Sequence, residues 1–166
     1  MTGTNENPEE DLWDRYLAAY RAYDSARSSL FQLDSAARVE LLKSGIKKNG
    51  IEPAMEVLTG MNTEEVKSFL EELLTYVGYP KRYVMEARAL IKRLPREWLI
   101  DNIEENAECA LTYGDYTEYG RIGYLYLSLD RDLAYRLAQR ALAHPDPDVQ
   151  EVGRDIMSEL NDDEKG

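Results

Sequence analysis

Apolar residues recur at every third or fourth position along most of the chain, which is the spacing of one face of an α-helix. In residues 8–31 they are Leu12, Tyr16, Ala19, Tyr23, Ala26 and Leu30. The same spacing continues over 35–48, 52–59, 63–77, 80–94, 96–112, 116–129, 131–143 and 147–160. The pattern predicts nine helices and no strand. We expect the first helix to dock through its apolar face, and burial of Trp13 beside that face would make Trp13→Ala cost roughly 3 kcal/mol.

Polar residues mark where these helices begin and end. Asn62 to Glu65 and Asp115 to Glu118 each place a capping residue three positions before a glutamate, which is a capping box. Further N-caps are predicted at Asp34, Asp130 and Asp146, and helix ends at Gly50, Gly60 and Gly78. The connections are short, so successive helices should pack as antiparallel neighbours.

The second half of the chain repeats. Asp115, Ile122 and Leu129 match Asp146, Gly153 and Leu160 at an offset of 31 residues, and a second match has an offset near 35. Periods of about 30–47 residues with two helices each are typical of helical repeats. Residues 144–160, HPDPDVQEVGRDIMSEL, resemble the start of a HEAT repeat. The resemblance is strongest over 115–160, and departures from the pattern are Gln150 in place of Arg and Gly120, Gly123 and Gly153 in place of Ala.

The resemblance implies a fold with a binding surface and no specific activity. The predicted fold class is all-α, either antiparallel hairpins stacked as a short HEAT-like α-solenoid or an irregular helical bundle. We predict one domain over 1–166. It would comprise an N-terminal helical segment at 7–60, the HEAT-like repeats at 62–160 and a disordered acidic tail at 161–166. Residues 1–6 are predicted to be disordered as well.

The net charge of the chain and its single Cys and single His disfavour or exclude several classes of function. The chain carries 20 Lys and Arg against 32 Asp and Glu, a net charge of −12, with the excess acids near its two ends. This balance disfavours nucleic-acid binding through a basic surface. One Cys and one His exclude a disulfide framework and a cysteine-built zinc site. No apolar run is long enough for a membrane span, and the first residues lack a secretory signal pattern, so we expect a cytoplasmic protein without a membrane partner.

The main candidates for a functional surface are the acidic residues between 96 and 118. Asp101, Glu104, Glu105 and Glu108 share one helix face by their spacing. They either pair with the basic helix 81–96 or form an acidic patch for a basic partner. In a HEAT-like array the helix 96–112 would line the concave surface, together with Tyr135 and Gln139 from the next repeat. We therefore predict a partner-binding surface made of Asp101, Glu104, Glu105, Glu108, Tyr135 and Gln139.

Other residues offer weaker candidates. Twelve tyrosines are unusual, and six lie between 113 and 135, where they serve either helix packing or an aromatic binding patch. We expect Tyr126 in the core, Tyr113, Tyr116 and Tyr119 too numerous to be buried beside it, and Cys109 partly buried. His144 should lie at a helix end or in an exposed loop. Gly120 and Gly123 should permit close helix contact.

Three functions stay open. The first is a non-enzymatic protein–protein interaction module, the second an immunity or antitoxin-type inhibitor of a basic toxin, and the third a small-ligand-binding helical protein or enzyme. The sequence shows no phosphate-binding glycine loop, nucleophile elbow or zinc spacing, and we expect neither a cofactor nor a metal. The oligomeric state is left open.

Overall fold

The structure, a computed structural model, describes residues 8–78 and 82–162. This part of the chain contains ten α-helices, one 3₁₀-helix and no strand, which confirms the all-α class. The elements are α1 (Pro8–Gln32), α2 (Ser35–Asn49), a 3₁₀-helix (Glu52–Ala54), α3 (Met55–Gly60), α4 (Thr63–Lys67), α5 (Leu70–Gly78), α6 (Val84–Lys92), α7 (Arg96–Thr112), α8 (Tyr116–Leu129), α9 (Arg131–Leu142) and α10 (Pro147–Asp162). None of the described helices has the length and apolarity needed to cross a membrane.

Helix boundaries differ from the prediction at four main places. The predicted helix 52–59 is a 3₁₀-helix followed by α3. The predicted helix 63–77 is split into α4 and α5, because the N–H groups of Ser68 and Phe69 bond to carbonyls three residues back. This tighter turn interrupts the α-helix and leaves Phe69 fully buried. α6 begins only at Val84, and α10 continues through Asn161 and Asp162, which we had assigned to the tail. The prediction of a disordered tail is therefore wrong for residues 161 and 162. Residues 1–7, 79–81 and 163–166 lie outside the described residues, and they include the predicted disordered residues 1–6 and the rest of the predicted tail.

The predicted capping boxes are both formed. The Asn62 side chain accepts the Glu65 N–H at 3.0 Å, and the Glu65 carboxylate accepts the Asn62 N–H at 3.1 Å. Asp115 and Glu118 make the reciprocal arrangement at the start of α8. Each box satisfies amide groups that the first helical turn would otherwise leave without a partner.

The chain divides into two compact units, of which the first ends at Leu42 and the second begins at Lys43. In the second unit α5 packs against α6, α7 and α8, and α8 also packs against α9 and α10. α9 and α10 share the most extensive contact. The fully buried core side chains include Phe69, Leu73, Ile91, Leu99, Ile103, Ile122, Tyr126, Leu133 and Val149.

Arginine side chains of the second unit bind residues that lie at a nearly constant separation from them in the sequence. Arg93 donates to the Met61 carbonyl at 2.6 Å, 32 residues away. Arg88 donates to the Arg121 carbonyl at a separation of 33 residues, and Arg96 to Asp130 at 34. These separations lie between the offsets of 31 and 35 found in the sequence. The HEAT resemblance itself stays a prediction.

Two of the three unexpected glycines lie where helices approach closely. A Cβ on Gly123 would lie 2.6 Å from the Ile156 side chain. One on Gly153 would lie 2.9 Å from the Leu142 backbone nitrogen in α9. Gly120 has open space around it. Close contact therefore explains Gly123 and Gly153, and the prediction is wrong for Gly120.

The first unit contains α1 and the beginning of α2. Arg38 fastens the end of α1, since its guanidinium donates to the Leu33 carbonyl at 2.8 Å and to the Leu30 and Phe31 carbonyls at 3.3 Å. Trp13 is 60% exposed, so the burial on which a cost of roughly 3 kcal/mol for Trp13→Ala depends is not met. The apolar face beside it is largely exposed as well.

Candidate partner-binding face

Helix α7 presents its four predicted acids to solvent. Its opposite face is buried in the second unit, where Leu99, Ile103 and Ala107 are at most 1% exposed. Because that face fixes the rotation of α7, the acids are held outward as their spacing predicted. The exposed set is Asp101, Glu104, Glu105 and Glu108.

Two of these acids are paired with arginines of α9. Arg136 binds Glu104 in a fork, with Nε and Nη2 donating at 2.9 and 2.8 Å. Arg140 also binds Glu108 in a fork, here with Nη1 and Nη2 donating at 2.6 and 2.9 Å. Both pairs span 32 residues and lie one helical turn apart, so they form a ladder of two rungs between α7 and α9.

Glu104 and Glu108 do not pair with the basic helix 81–96, so that alternative from the sequence is wrong for these two acids. The arginines of that segment have other partners: Arg88 and Arg93 bind backbone carbonyls, and Arg96 binds Asp130. The charge pattern of the sequence indicated only the neighbouring helix as a partner and did not indicate the α9 arginines. The repeat offset of 31–35 would have pointed to them, since Arg136 and Arg140 lie 32 residues after Glu104 and Glu108.

The ladder alters the charge and ionisation of the face. Hydrogen bonds from Arg140 first, and from Thr112 second, lower the pKa of Glu108 to about 2. The same contact with Glu108 raises the pKa of Arg140, and Glu104 raises that of Arg136. Among the described residues Asp101 and Glu105 form no ion pair. Four carboxylates against two guanidinium groups leave a net charge of −2 on the face.

A groove of about 300 Å³ lies along the ladder. Its walls are the three acids Glu104, Glu105 and Glu108 together with Arg136 and Arg140, and its apolar lining is Leu111, Tyr126 and Leu137. The Tyr126 hydroxyl donates to the Ile103 carbonyl at 3.4 Å, and burial raises its pKa. Arg140 also donates to the Tyr119 hydroxyl at 3.2 Å and lines a neighbouring cavity beside His144. The groove therefore has charged walls around an apolar floor.

Tyr135 and Gln139 lie on α9 outside this lining. Both are exposed, and the Gln139 amide donates to the Tyr135 hydroxyl at 2.8 Å. The structure thus brings three of the six predicted residues into one groove. It places Asp101 one turn before Glu105 on α7, and the Tyr135–Gln139 pair beside the arginines on α9.

The other tyrosines divide between core and surface. Tyr126 is buried as predicted, and of Tyr113, Tyr116 and Tyr119 only Tyr119 is buried as well. Tyr113 and Tyr116 are exposed. The tyrosines between 113 and 135 therefore include both core residues and surface residues. The Tyr119 ring packs near the ring of His144, at 5.5 Å between centroids.

The remaining candidate residues offer little chemistry. The His144 Nδ1 accepts the Asp146 N–H at 3.1 Å, which places this histidine at the entry to α10. Cys109 is exposed rather than partly buried. Among residues 8–78 and 82–162, no group of three His, Cys, Asp or Glu side chains is arranged to hold a metal ion.

A separate open cavity of about 890 Å³ lies between the end of α2 and α5 in the second unit. Two lysines and three glutamates line it, together with Tyr76, whose hydroxyl donates to Glu52 at 3.1 Å. Burial raises the pKa of Tyr76. Charged side chains of both signs therefore line this cavity.

Comparisons of the chain with protein families, with curated proteins and with solved structures gave no match.

Proposed function

We propose that this protein is a non-enzymatic interaction module that binds a partner protein through the face formed by α7 and α9. The observation that carries the proposal is the Glu104–Arg136 and Glu108–Arg140 ladder. It borders an apolar groove and leaves Asp101 and Glu105 without an ion pair among the described residues. The partner would present basic side chains to these two acids.

The ladder favours binding because it orders the face in advance. Forked arginine–carboxylate bonds restrict long side chains that would otherwise lose conformational freedom on association. The groove floor of Leu111, Tyr126 and Leu137 offers a place for one apolar side chain of the partner. Ordered walls and an apolar floor are the usual setting of an interface hot spot.

The repeat geometry supports the same proposal. The contacts at separations of 32–34 residues are those expected when helical hairpins of about that length are stacked. In such a stack the second helix of each hairpin lies on one surface, which places α7 beside α9. A stacked array presents a continuous surface to its partner rather than an enclosed catalytic pocket.

The test compares two charge-reversed variants as baits in an affinity capture from the native host. Asp101→Lys/Glu105→Lys reverses the two acids that lack an ion pair within the described part of the chain. Glu151→Lys/Asp155→Lys is the matched control, because it reverses an exposed acid pair with the same spacing on α10. Captured proteins are identified by mass spectrometry, and each binding constant is then measured with the purified protein.

We expect the α7 variant to lose at least one protein that the wild type and the control both retain. Since attraction between exposed charges is screened by salt, binding of that protein should weaken as the salt concentration is raised. Equal capture by all three baits would refute the proposed face.

A further inference from the structure

The apolar face of α1 has a stricter period than an ordinary core-facing helix. Its six positions from Leu12 to Leu30 are spaced by four, three, four, three and four residues. This is the heptad pattern of a coiled coil, in which apolar residues recur every 3.5 residues on average. We call these positions the α1 seam: Leu12, Tyr16, Ala19, Tyr23, Ala26 and Leu30.

Most of the seam and its flanks are exposed, and Leu30 is half-buried. Leu12, Tyr16 and Tyr23 are 60, 58 and 43% exposed, and the flanking Trp13 and Tyr20 are 60 and 57% exposed. Aromatic side chains carry 150–250 Å² each, so these five residues leave on the order of 500 Å² exposed in one chain. Two such faces together would bury about 1,000 Å², which is the lower limit for a specific interface.

The order of large and small residues makes the seam complementary to itself in the antiparallel direction. When two copies of α1 cross at residue 21, position i of one copy lies opposite position 42 − i of the other. Each tyrosine then faces an alanine, and the outer leucines face each other. The layers are Leu12 with Leu30, Tyr16 with Ala26, and Ala19 with Tyr23, each occurring twice by symmetry.

The residues that flank the seam also make favourable pairs when two copies of α1 are aligned in this antiparallel register. In an antiparallel coiled coil, flanking positions meet their equivalents on one side of the seam. Trp13 then lies beside Arg27 of the second copy, a pair suited to a cation–π contact, and Tyr20 lies near Tyr20 of the second copy. Trp13 is already stacked on Tyr16 within the chain, with ring centroids 5.3 Å apart, so it is ordered before pairing.

A parallel pair would be less favourable on two grounds. It would place Tyr16 and Tyr23 each opposite its own equivalent and alanine opposite alanine, which alternates crowded and empty layers. It would also align Asp11 and Asp14 at the acidic start of α1 with the same charges of the other copy. Antiparallel pairing separates these acids by the length of the helix.

We propose that the α1 seam is an interface between two copies of this chain, paired antiparallel about Arg21. This surface lies in the first unit and is independent of the α7–α9 face. The dimer would thus carry two partner-binding faces, one on each copy.

Sedimentation equilibrium of the full chain tests the association, in reducing buffer because Cys109 is exposed. The expected mass is twice 19.1 kDa at micromolar concentrations. Ala19→Glu places a charge in the seam and should raise the dissociation constant at least tenfold. Ala18→Glu is the matched control, because it adds the same charge at the neighbouring exposed position outside the seam, and should leave the dimer intact.

A compensating pair of substitutions tests the register. Ala26→Tyr alone would oppose two tyrosines in each of two layers and should weaken the dimer. Adding Tyr16→Ala should restore it, because a tyrosine then faces an alanine again. If circular dichroism shows that Ala19→Glu lowers the helix content, that variant no longer tests the seam. The Ala26→Tyr variants, with and without Tyr16→Ala, then test whether the seam forms the dimer.

Spin labels test the direction. With Cys109→Ser and a label at Asp11→Cys, antiparallel pairing offsets the two labels by twenty residues, about 30 Å along the helix axis. Parallel pairing leaves them side by side. A monomer at all concentrations, an Ala19→Glu dimer as strong as the control, or labels side by side would overturn the proposal.

Discussion

Gly153→Ala is expected to destabilise the second unit although alanine favours helices. The new Cβ would lie 2.9 Å from the Leu142 nitrogen and 3.0 Å from the Ala138 carbonyl oxygen, both backbone atoms of α9. Ordinary contacts of this kind are several tenths of an ångström longer, so α9 and α10 must move apart. Overpacking by one methyl group costs about 1–3 kcal/mol. Replacing Gly by Ala inside a helix recovers about 1 kcal/mol.

Gly120→Ala is the control that isolates the packing cost. Gly120 is also inside a helix, but nothing lies within 4 Å of its would-be Cβ, so this variant should gain about 1 kcal/mol. Because the helix-propensity gain is common to both, the difference between the two variants is the overpacking cost of about 1–3 kcal/mol. Urea unfolding followed by circular dichroism measures both. Equal stabilisation by the two substitutions would refute the close approach of α9 and α10.

Two further predictions concern a helix cap and an ionised acid. Asn62→Ala should lower the free energy of unfolding by about 1 kcal/mol, because it removes the acceptor for the Glu65 N–H. Asn106→Ala, inside α7, is the control and should be neutral or stabilising. Equal urea midpoints for the two variants would contradict this prediction. The folded-state pKa of Glu108 lies near 2 against 4.5 as its usual value, so its stabilising effect is present above pH 4.5 and is lost as the pH falls through 2. An NMR titration of Glu108 should show this low midpoint, and Arg140→Gln should return it towards 4.5; an ordinary midpoint in the wild type would exclude the forked pair.

The helices and their caps could be predicted because both depend on residues close in sequence. A capping box needs only two side chains three positions apart, and Asn62 and Asp115 form theirs as expected. The outward direction of the α7 acids also followed from local spacing, since a buried stripe on one face of a helix determines what the other face exposes.

The break at Ser68 could not be predicted in the same way. The apolar spacing runs through it without interruption, and Phe69 at the break is fully buried. Likewise, the partners of Glu104 and Glu108 lie on α9, and no local rule selects them over the nearer bases of α6. Packing between distant segments decides such features.

An apolar stripe predicts a helix but does not say what covers it. The stripes of α7 and α1 both have spacings of three and four residues, although only α1 alternates the two strictly. The first is buried within its own unit, whereas the second is largely exposed. Composition separates them: α7 uses Leu99, Ile103 and Ala107, which carry no polar atom, whereas α1 uses tyrosines. A tyrosine hydroxyl inside a core must find a partner, as that of Tyr126 finds the Ile103 carbonyl, but at the edge of an interface it can remain in water. A stripe that alternates tyrosine with alanine is therefore better suited to pairing between chains than to a core.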